Sequence, residues 1–212
     1  MNESENESEN DARFFAHLRS VLLYHQRLLR DEVRKRLFHE ALKLQITPDT
    51  RVLDIGEGSG VLAITAAQLG AKKVVAIEAD DAMIPVLMSH VRENGVGDKV
   101  EIIHGLSQDV NPPHKFDLVI SETIGNSAFE ENIAPIMIDA RKRFLARGGV
   151  LIPQKVALFA APAHLETETE TALGVPFKSE YLRRLSLNLI SRAADKNRLR
   201  LLGEPQKLHE ED

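Results

Sequence analysis

The segment Val52-Leu53-Asp54-Ile55-Gly56-Glu57-Gly58-Ser59-Gly60 constrains this chain more than any other. An apolar run stops at a glycine, three glycines alternate with other residues, and residues 60–70 then read as a helix. Glycines between a strand and a helix leave the backbone open to a ligand that side chains would block. The helix start behind them offers free amide donors and the positive end of a dipole. A plain tight turn would use the same residues, so the loop alone does not decide. The unit then repeats. Val74 to Glu78 is a second β-branched run, Ala82 to Asn94 a second helix, and Val100 to His104 a third strand. Phe116 to Ser121 is a fourth strand, and Phe129 to Ala146 a helix ending at Gly148-Gly149. Strands separated by helices indicate right-handed crossovers and a parallel sheet covered on both faces. The expected fold is α/β, a doubly wound, mostly parallel, Rossmann-like sheet over residues 48–162.

The flanks read differently. Phe14, Phe15, Leu18, Val21, Leu22, Leu29, Val33, Leu37 and Ala41 recur at helical spacing from Phe14 to Leu44. Thr47-Pro48-Asp49 breaks that pattern, because proline lacks an amide donor. Residues 13–47 are thus an N-terminal helical cover. Residues 1–12 are low in complexity and carry Glu3, Glu5, Glu7, Glu9 and Asp11 without a base. Those five acids account for the whole net charge of −5, and a disordered acidic tail is expected. Beyond Pro162, VALFAAPAHLETE looks like a strand leaving the core, Thr167–Thr171 is polar and Gly174-Val-Pro176 is a turn. Leu185, Leu187 and Leu189 then alternate with polar residues as in a half-buried strand. Residues 163–212 read as a short C-terminal extension, the opening of a second β domain.

Composition removes several classes of function. With 43% hydrophobic and 28% charged residues the chain can bury a real core. The absence of cysteine rules out disulfides, thiolate metal sites and a cysteine nucleophile. No histidine pair has the spacing of a metal site. No apolar stretch approaches the ~20 residues that span a bilayer, and the acidic start lacks the apolar stretch of a secretory signal. A cytoplasmic protein is expected. The basic run Arg183-Arg184, Arg192, Lys196, Arg198 and Arg200 has Tyr181 as its one aromatic. It reads as a solvated face rather than a nucleic-acid surface.

Two acids narrow the ligand. The G-x-G-x-G spacing differs from the G-x-G-x-x-G of dinucleotide loops, and no Gly-Lys-Ser/Thr of a phosphate loop follows. Asp54, just before Gly56 and Gly58, would repel a pyrophosphate but accept from an ammonium or hydroxyl group. Glu78 lies eighteen residues after Gly60 at the end of the next strand, where an acid meets ribose hydroxyls. S-adenosyl-L-methionine fits both acids, with ribose hydroxyls for Glu78 and a methionyl ammonium for Asp54. Asp80 and Asp81 suit the cap and first turn of the next helix. Gln108, after the third strand, is a candidate partner for the adenine amino group, or else a solvated loop residue.

The third motif is Ser121-Glu122-Thr123-Ile124-Gly125-Asn126-Ser127-Ala128-Phe129-Glu130-Glu131. Glu122 ends a strand at the sheet rim where open α/β proteins bind ligands. Gly125 permits the loop to turn back and bring Glu131 near it. Two such carboxylates can grip one cationic group, although acids near a helix start are also favoured by its dipole.

In this order the three motifs resemble those of the protein arginine methyltransferase family, over roughly residues 14–165. VLDIGEGSGVLAITAAQLGAKKVVAIEAD is similar to its cofactor loop and ribose acid, and SETIGNSAFEE to its double-glutamate loop. His25-Gln-Arg-Leu-Leu29-Arg-Asp31-Glu-Val-Arg34 resembles the helix that folds over the cofactor. The resemblance implies an S-adenosylmethionine-dependent N-methyltransferase in which Glu122 and Glu131 hold a guanidine-like nitrogen. It implies that Arg34 contacts the methionyl carboxylate, whereas the residues alone allow Arg34 to be an i,i+3 partner of Asp31. Arg34, Asp54, Gly56, Gly58, Glu78, Gln108 and Glu122 are the expected cofactor residues. The acceptor is a protein, a peptide or a small molecule, with a homo-oligomer as a further expectation. The chain also departs from the family. Glu57 replaces a small residue or cysteine, Arg19 and Asn126 replace tyrosines, and the family's Thr-His-Trp loop has no counterpart. A different nitrogen acceptor, or cofactor binding without catalysis, therefore stays open.

Overall fold

The computed structural model describes residues 3–112, 114–125, 131–165 and 199–211. Two compact units partition the chain: 1–124 with 131–154, and 125–130 with 155–212.

The first unit holds a five-stranded sheet of β1 (Arg51–Ile55), β2 (Lys73–Glu78), β3 (Val100–His104), β4 (Phe116–Ser121) and β5 (Leu145–Ile152). The order is β3-β2-β1-β4-β5 and every pair is parallel. Parallel strands are buried on both faces, which is why β1, β2 and β4 are near-continuous apolar runs rather than alternating ones. Val52, Leu53, Val74, Val75, Val119 and Ile120 are fully buried. Helix α3 (Val61–Gln68) follows β1, α4 (Ile84–Glu93) follows β2, and α5 (Ile133–Arg143) precedes β5. Strand order reverses at β1, which lies between β2 and β4. The register aligns Ile55 with Ile77 and with Ser121. The loops after these three strands consequently leave one edge of the sheet side by side, the place where such folds bind ligands.

Two helices precede the sheet, α1 (Glu3–Leu29) and α2 (Glu32–Gln45). The single helical pattern from Phe14 to Leu44 is thus divided. The break comes at Asp31, whose side chain accepts from the Arg34 amide at 3.0 Å and caps α2. Helix α1 begins at Glu3, within the segment expected above as an acidic tail. No glycine or proline interrupts residues 3–29, so once the apolar part nucleates, each added residue gains a hydrogen bond. Acids in a first turn also suit the helix dipole.

Two further differences concern helix limits. Helix α4 starts at Ile84 rather than Ala82, and Asp80 accepts from the Ala82 amide in the turn before it instead of capping the helix. The Gly148-Gly149 pair lies inside β5 instead of ending a helix. There the register with β4 shifts, so that Phe116 faces Leu145 and Leu118 faces Val150. Gly148 has φ +79°, and a Cβ on Gly149 would come within 3.0 Å of the Asp117 carbonyl oxygen. The pair is a bulge that only glycine fits.

In the second unit, β6 (Val156–Ala160) pairs antiparallel with β9 (Gln206–Glu211), and β7 (Ala163–Leu165) with β8 (Leu199–Leu201). The run VALFAAPAHL therefore does form strands. The alternating Leu185, Leu187 and Leu189, the Gly174-Val-Pro176 turn and the basic run from Arg183 to Arg198 lie outside the described residues, as do Asn126, Phe129 and Glu130.

Candidate functional site

The sheet edge beneath the loops opens into a cavity of about 450 Å³, a volume suited to a small-molecule ligand. Its floor comes from Asp54 in β1 and Gly56, Glu57 and Ser59 after it, and one wall from Glu78 at the end of β2 and Asp80 after it. Glu122 and Thr123 after β4 and Glu131 before α5 form the opposite wall. Val21, Tyr24, His25 and Leu28 of α1 and Arg34, Lys35, Phe38 and His39 of α2 form the roof. The spacing 21, 24, 25, 28 is one face of a helix.

Of the residues expected from sequence, Arg34, Asp54, Gly56, Glu78, Glu122 and Glu131 all line this cavity. Gly58 belongs to its loop, but Gln108 does not line it and is exposed. The strand-to-loop spacing places Gln108 near the third strand without fixing which way the loop turns. Arg143 holds that loop, donating to the Ser107 carbonyl at 2.6 Å and to the Val110 carbonyl at 3.0 Å.

Glu78 is buried and anchors the glycine loop. Its carboxylate accepts from the Gly58 amide and from the Asp80 amide, each at 2.6 Å. A carboxylate has about four acceptor positions, so both oxygens keep one for ribose hydroxyls. The loop glycines are forced by space. Gly56 has φ +75° and Gly58 φ +59°, and a Cβ on Gly58 would collide with the His25 ring. Burial lowers the His25 pKa against the opposing pull of Glu78, Asp80 and Glu131, which keeps the ring neutral above the loop.

Arg34 serves the opposite wall. Its guanidinium donates to Glu122 at 3.1 Å and lies 3.8 Å from Asp31, so the i,i+3 pairing is real and is only part of its role. Burial raises the Glu122 pKa; Arg34 opposes that, while Glu131 adds to it. Tyr24 donates from its hydroxyl to Glu131 at 2.9 Å. Sequence reasoning did not single out Tyr24, although its position three residues after Val21 on the helical face was a usable signal. His17, one helical turn and more before it, meets Asp80 at 2.8 Å. The helical cover is thus fastened to the loop after β2 and to Glu131.

The Asp54 carboxylate is 1% exposed and neither of its oxygens has a hydrogen-bond donor. Buried acceptors left without donors call for a ligand. Asp54 facing the cavity, Glu78 with spare acceptor positions and Arg34 in the roof match a ligand bearing an ammonium, ribose hydroxyls and a carboxylate. That donor and acceptor set fits S-adenosyl-L-methionine. Sheet order, the glycine loop after β1 and the acid ending β2 together define the Rossmann-like fold of the S-adenosyl-L-methionine-dependent methyltransferase class.

Residues 36–153, more than half of the chain, match the family model described as Ribosomal protein L11 methyltransferase (PrmA). The chain belongs to that methyltransferase family, and the curated proteins it is similar to include protein arginine N-methyltransferases. It is 34% identical over 140 residues to the Probable protein arginine N-methyltransferase 6 of Arabidopsis thaliana, a match covering 65% of this chain and 32% of the relative. It is 40% identical over 147 residues to the Protein arginine N-methyltransferase PRMT10 of Oryza sativa subsp. japonica, covering 66% and 37%. The chain spans about a third of the length of these curated relatives. The Arabidopsis thaliana Protein Arginine Methyltransferase 10 structure superposes with a TM-score of 0.68 at 28% identity, covering 90% of this chain and 62% of that one. A Trypanosoma brucei PRMT1 enzyme-prozyme complex with AdoHcy shares the fold, with a TM-score of 0.70 at 20% identity, covering 89% and 61%.

Proposed function

We propose that this chain is an S-adenosyl-L-methionine-dependent N-methyltransferase whose acceptor is a guanidine-like nitrogen held between Glu122 and Glu131. The observation that supports this reading is the sharing of one cavity by those two carboxylates and by Asp54 and Glu78. Arg34, Asp54, the loop glycines and Glu78 would hold the cofactor. When bound, it supplies a methyl group already activated by a positively charged sulfur.

The remaining work falls to the chain's own residues. A guanidinium delocalises its lone pairs and keeps its proton beyond pH ~12, so it must be positioned and polarised. Two carboxylates accepting from its outer N–H groups draw positive charge toward themselves and leave the third nitrogen richer in electrons. Glu122, whose pKa is raised by burial, is suited to take the proton that this nitrogen loses. Arg34 links the two halves, since an anion drawn to Arg34 frees Glu122 from its present ion pair. Tyr24 orients Glu131.

An arginine side chain in a protein or peptide is the acceptor suggested by the relatives' names, and the family model's description also names a protein. A second reading, another nitrogen acceptor or binding without transfer, is favoured by one observation. Both carboxylates already have a donor, Arg34 for one and Tyr24 for the other. Replacing each glutamate by its isostere tests the choice. Glu131→Gln should leave S-adenosylhomocysteine affinity within about threefold by calorimetry while methyl transfer to arginine-rich peptides, followed by mass spectrometry, falls by roughly 10² or more. Glu122→Gln should lose transfer likewise. Unchanged affinity together with unchanged transfer in both variants would overturn the role of the pair.

A further inference from the structure

Glu57 has no part in the reading above, yet it is 6% exposed and faces the cavity floor. One of its oxygens accepts from the Ala63 amide at 3.3 Å, in the first turn of α3, and the other has no partner. Asp54, 1% exposed, has no donor at either oxygen. The two carboxyl groups line the same cavity floor and each acts on the other, with the Ile55 backbone also acting on Asp54. As two carboxylates they would be a buried like-charge pair with the Ala63 amide as its one donor. With one proton between them, Glu57 becomes the donor that Asp54 lacks, and a single negative charge is buried instead of two.

We propose that Glu57 is a further cofactor-binding residue: it shares one proton with Asp54, and the ammonium at the amino-acid end of the cofactor displaces that proton on binding. This rests on the cofactor reading above. The exchange balances. The ammonium brings one positive charge, the pair goes from one negative charge to two, and one proton leaves to solvent; no covalent bond to carbon changes. The site thereby keeps the same net charge of −1 in both states, one of the two carboxylate charges being offset by a proton in one and by the ligand cation in the other.

Burial raises the pKa of both groups, and the proximity of Asp54 raises Glu57 further. Other charges surround the pair. Glu78 of β2 raises both. From α1, His25 covers Gly58; from α2, Arg34, Lys35 and His39 line the same cavity; Asp80, Glu122 and Glu131 complete its walls. Helix α4 contributes His90, whose ring is bonded to the Ser59 carbonyl at 2.6 Å. Of these, Glu122 would respond with the opposite sign, because losing Arg34 to a ligand carboxylate favours proton uptake.

The test is calorimetry of the full chain with S-adenosylhomocysteine at pH 7 in buffers of different ionisation enthalpy, which counts protons exchanged on binding. About one proton should be released per ligand bound, and affinity should rise as pH rises, up to about tenfold per pH unit while the pair holds its proton. Methylthioadenosine, which lacks the amino-acid end, should bind without release, a comparison that needs no variant. Glu57→Gln should bind S-adenosylhomocysteine with no release, while Glu122→Gln should keep it. Binding of S-adenosylhomocysteine to Glu122→Gln, in which the opposing uptake is removed, without proton release, or equal release with both ligands, overturns this inference and leaves the cofactor reading intact. Failure of the wild-type chain to bind S-adenosylhomocysteine at any pH overturns both.

Discussion

Two carboxyl groups buried side by side under the glycine loop, one of them without any fixed donor, work against folding. Their pKa values are raised in the folded chain, so between the ordinary carboxylate range and neutrality the native state holds a proton that the unfolded chain has released. Stability must then fall as pH rises through that window. Glu57→Gln removes one titrating carboxyl and keeps a donor for Asp54. It should raise the thermal midpoint at pH 7.5 by several degrees and change little near pH 4. Scanning calorimetry of both proteins across that range checks it, and parallel profiles would exclude the proton-holding pair. The same residue shows where sequence reading stops. Glu57 could be recognised as unusual for the loop, but its burial, and that of Asp54 beneath it, depends on α3 and the sheet closing around them.

Elements carry the site through their ends. Helix α2 presents Arg34 to Glu122 because Asp31 caps it and fixes where its first turn begins. Asp31→Ala should cost about 1 kcal/mol, a shift of a few degrees in thermal midpoint, since one orphan amide loses its acceptor. It should also weaken S-adenosylhomocysteine binding several-fold through misplacement of Arg34. Asp31→Asn, which can still cap, should recover most of both, and equal losses in the two variants would assign the effect to charge instead. Strands β1, β2 and β4 were legible because buried parallel strands must be unbroken apolar runs ending at the functional loops. β5 was not, since Gly148-Gly149 stops a helix and makes a bulge equally well, and only the register against Phe116 and Leu118 tells them apart. Nor was the division of α1 from α2 legible. Leu29 and Val33 keep the helical spacing across the break, while Asp31 caps locally. The acids of the site were visible because each ends a strand or follows one. Tyr24 and His25 were harder to assign, because their role comes from where α1 lies over the loops.

At the scale of the molecule, the organisation follows from which unit owns the cavity. Among the described residues, all that line it belong to the unit formed by 1–124 and 131–154, which also contains the whole five-stranded sheet. Its strands are held by the parallel pairings of β1 with β2 and β4, of β2 with β3 and of β4 with β5, and its helices are fastened to the site by His17–Asp80, Tyr24–Glu131 and Arg34–Glu122. A chain of this length ordinarily buries about 70% of its unfolded surface, enough to sustain a domain. A variant ending after Gln154 should therefore fold cooperatively and bind S-adenosylhomocysteine within about threefold of the full chain, an energy difference of less than about 0.7 kcal/mol. Circular dichroism establishes that the shortened chain is folded, and calorimetry on the same sample measures the affinity. Retained helix content with lost binding would mean that residues 155–212 help to form the ligand site. Retained binding with lost methyl transfer would divide the work differently, placing cofactor capture in the parallel sheet and its helical cover, and presentation of the acceptor in the second unit.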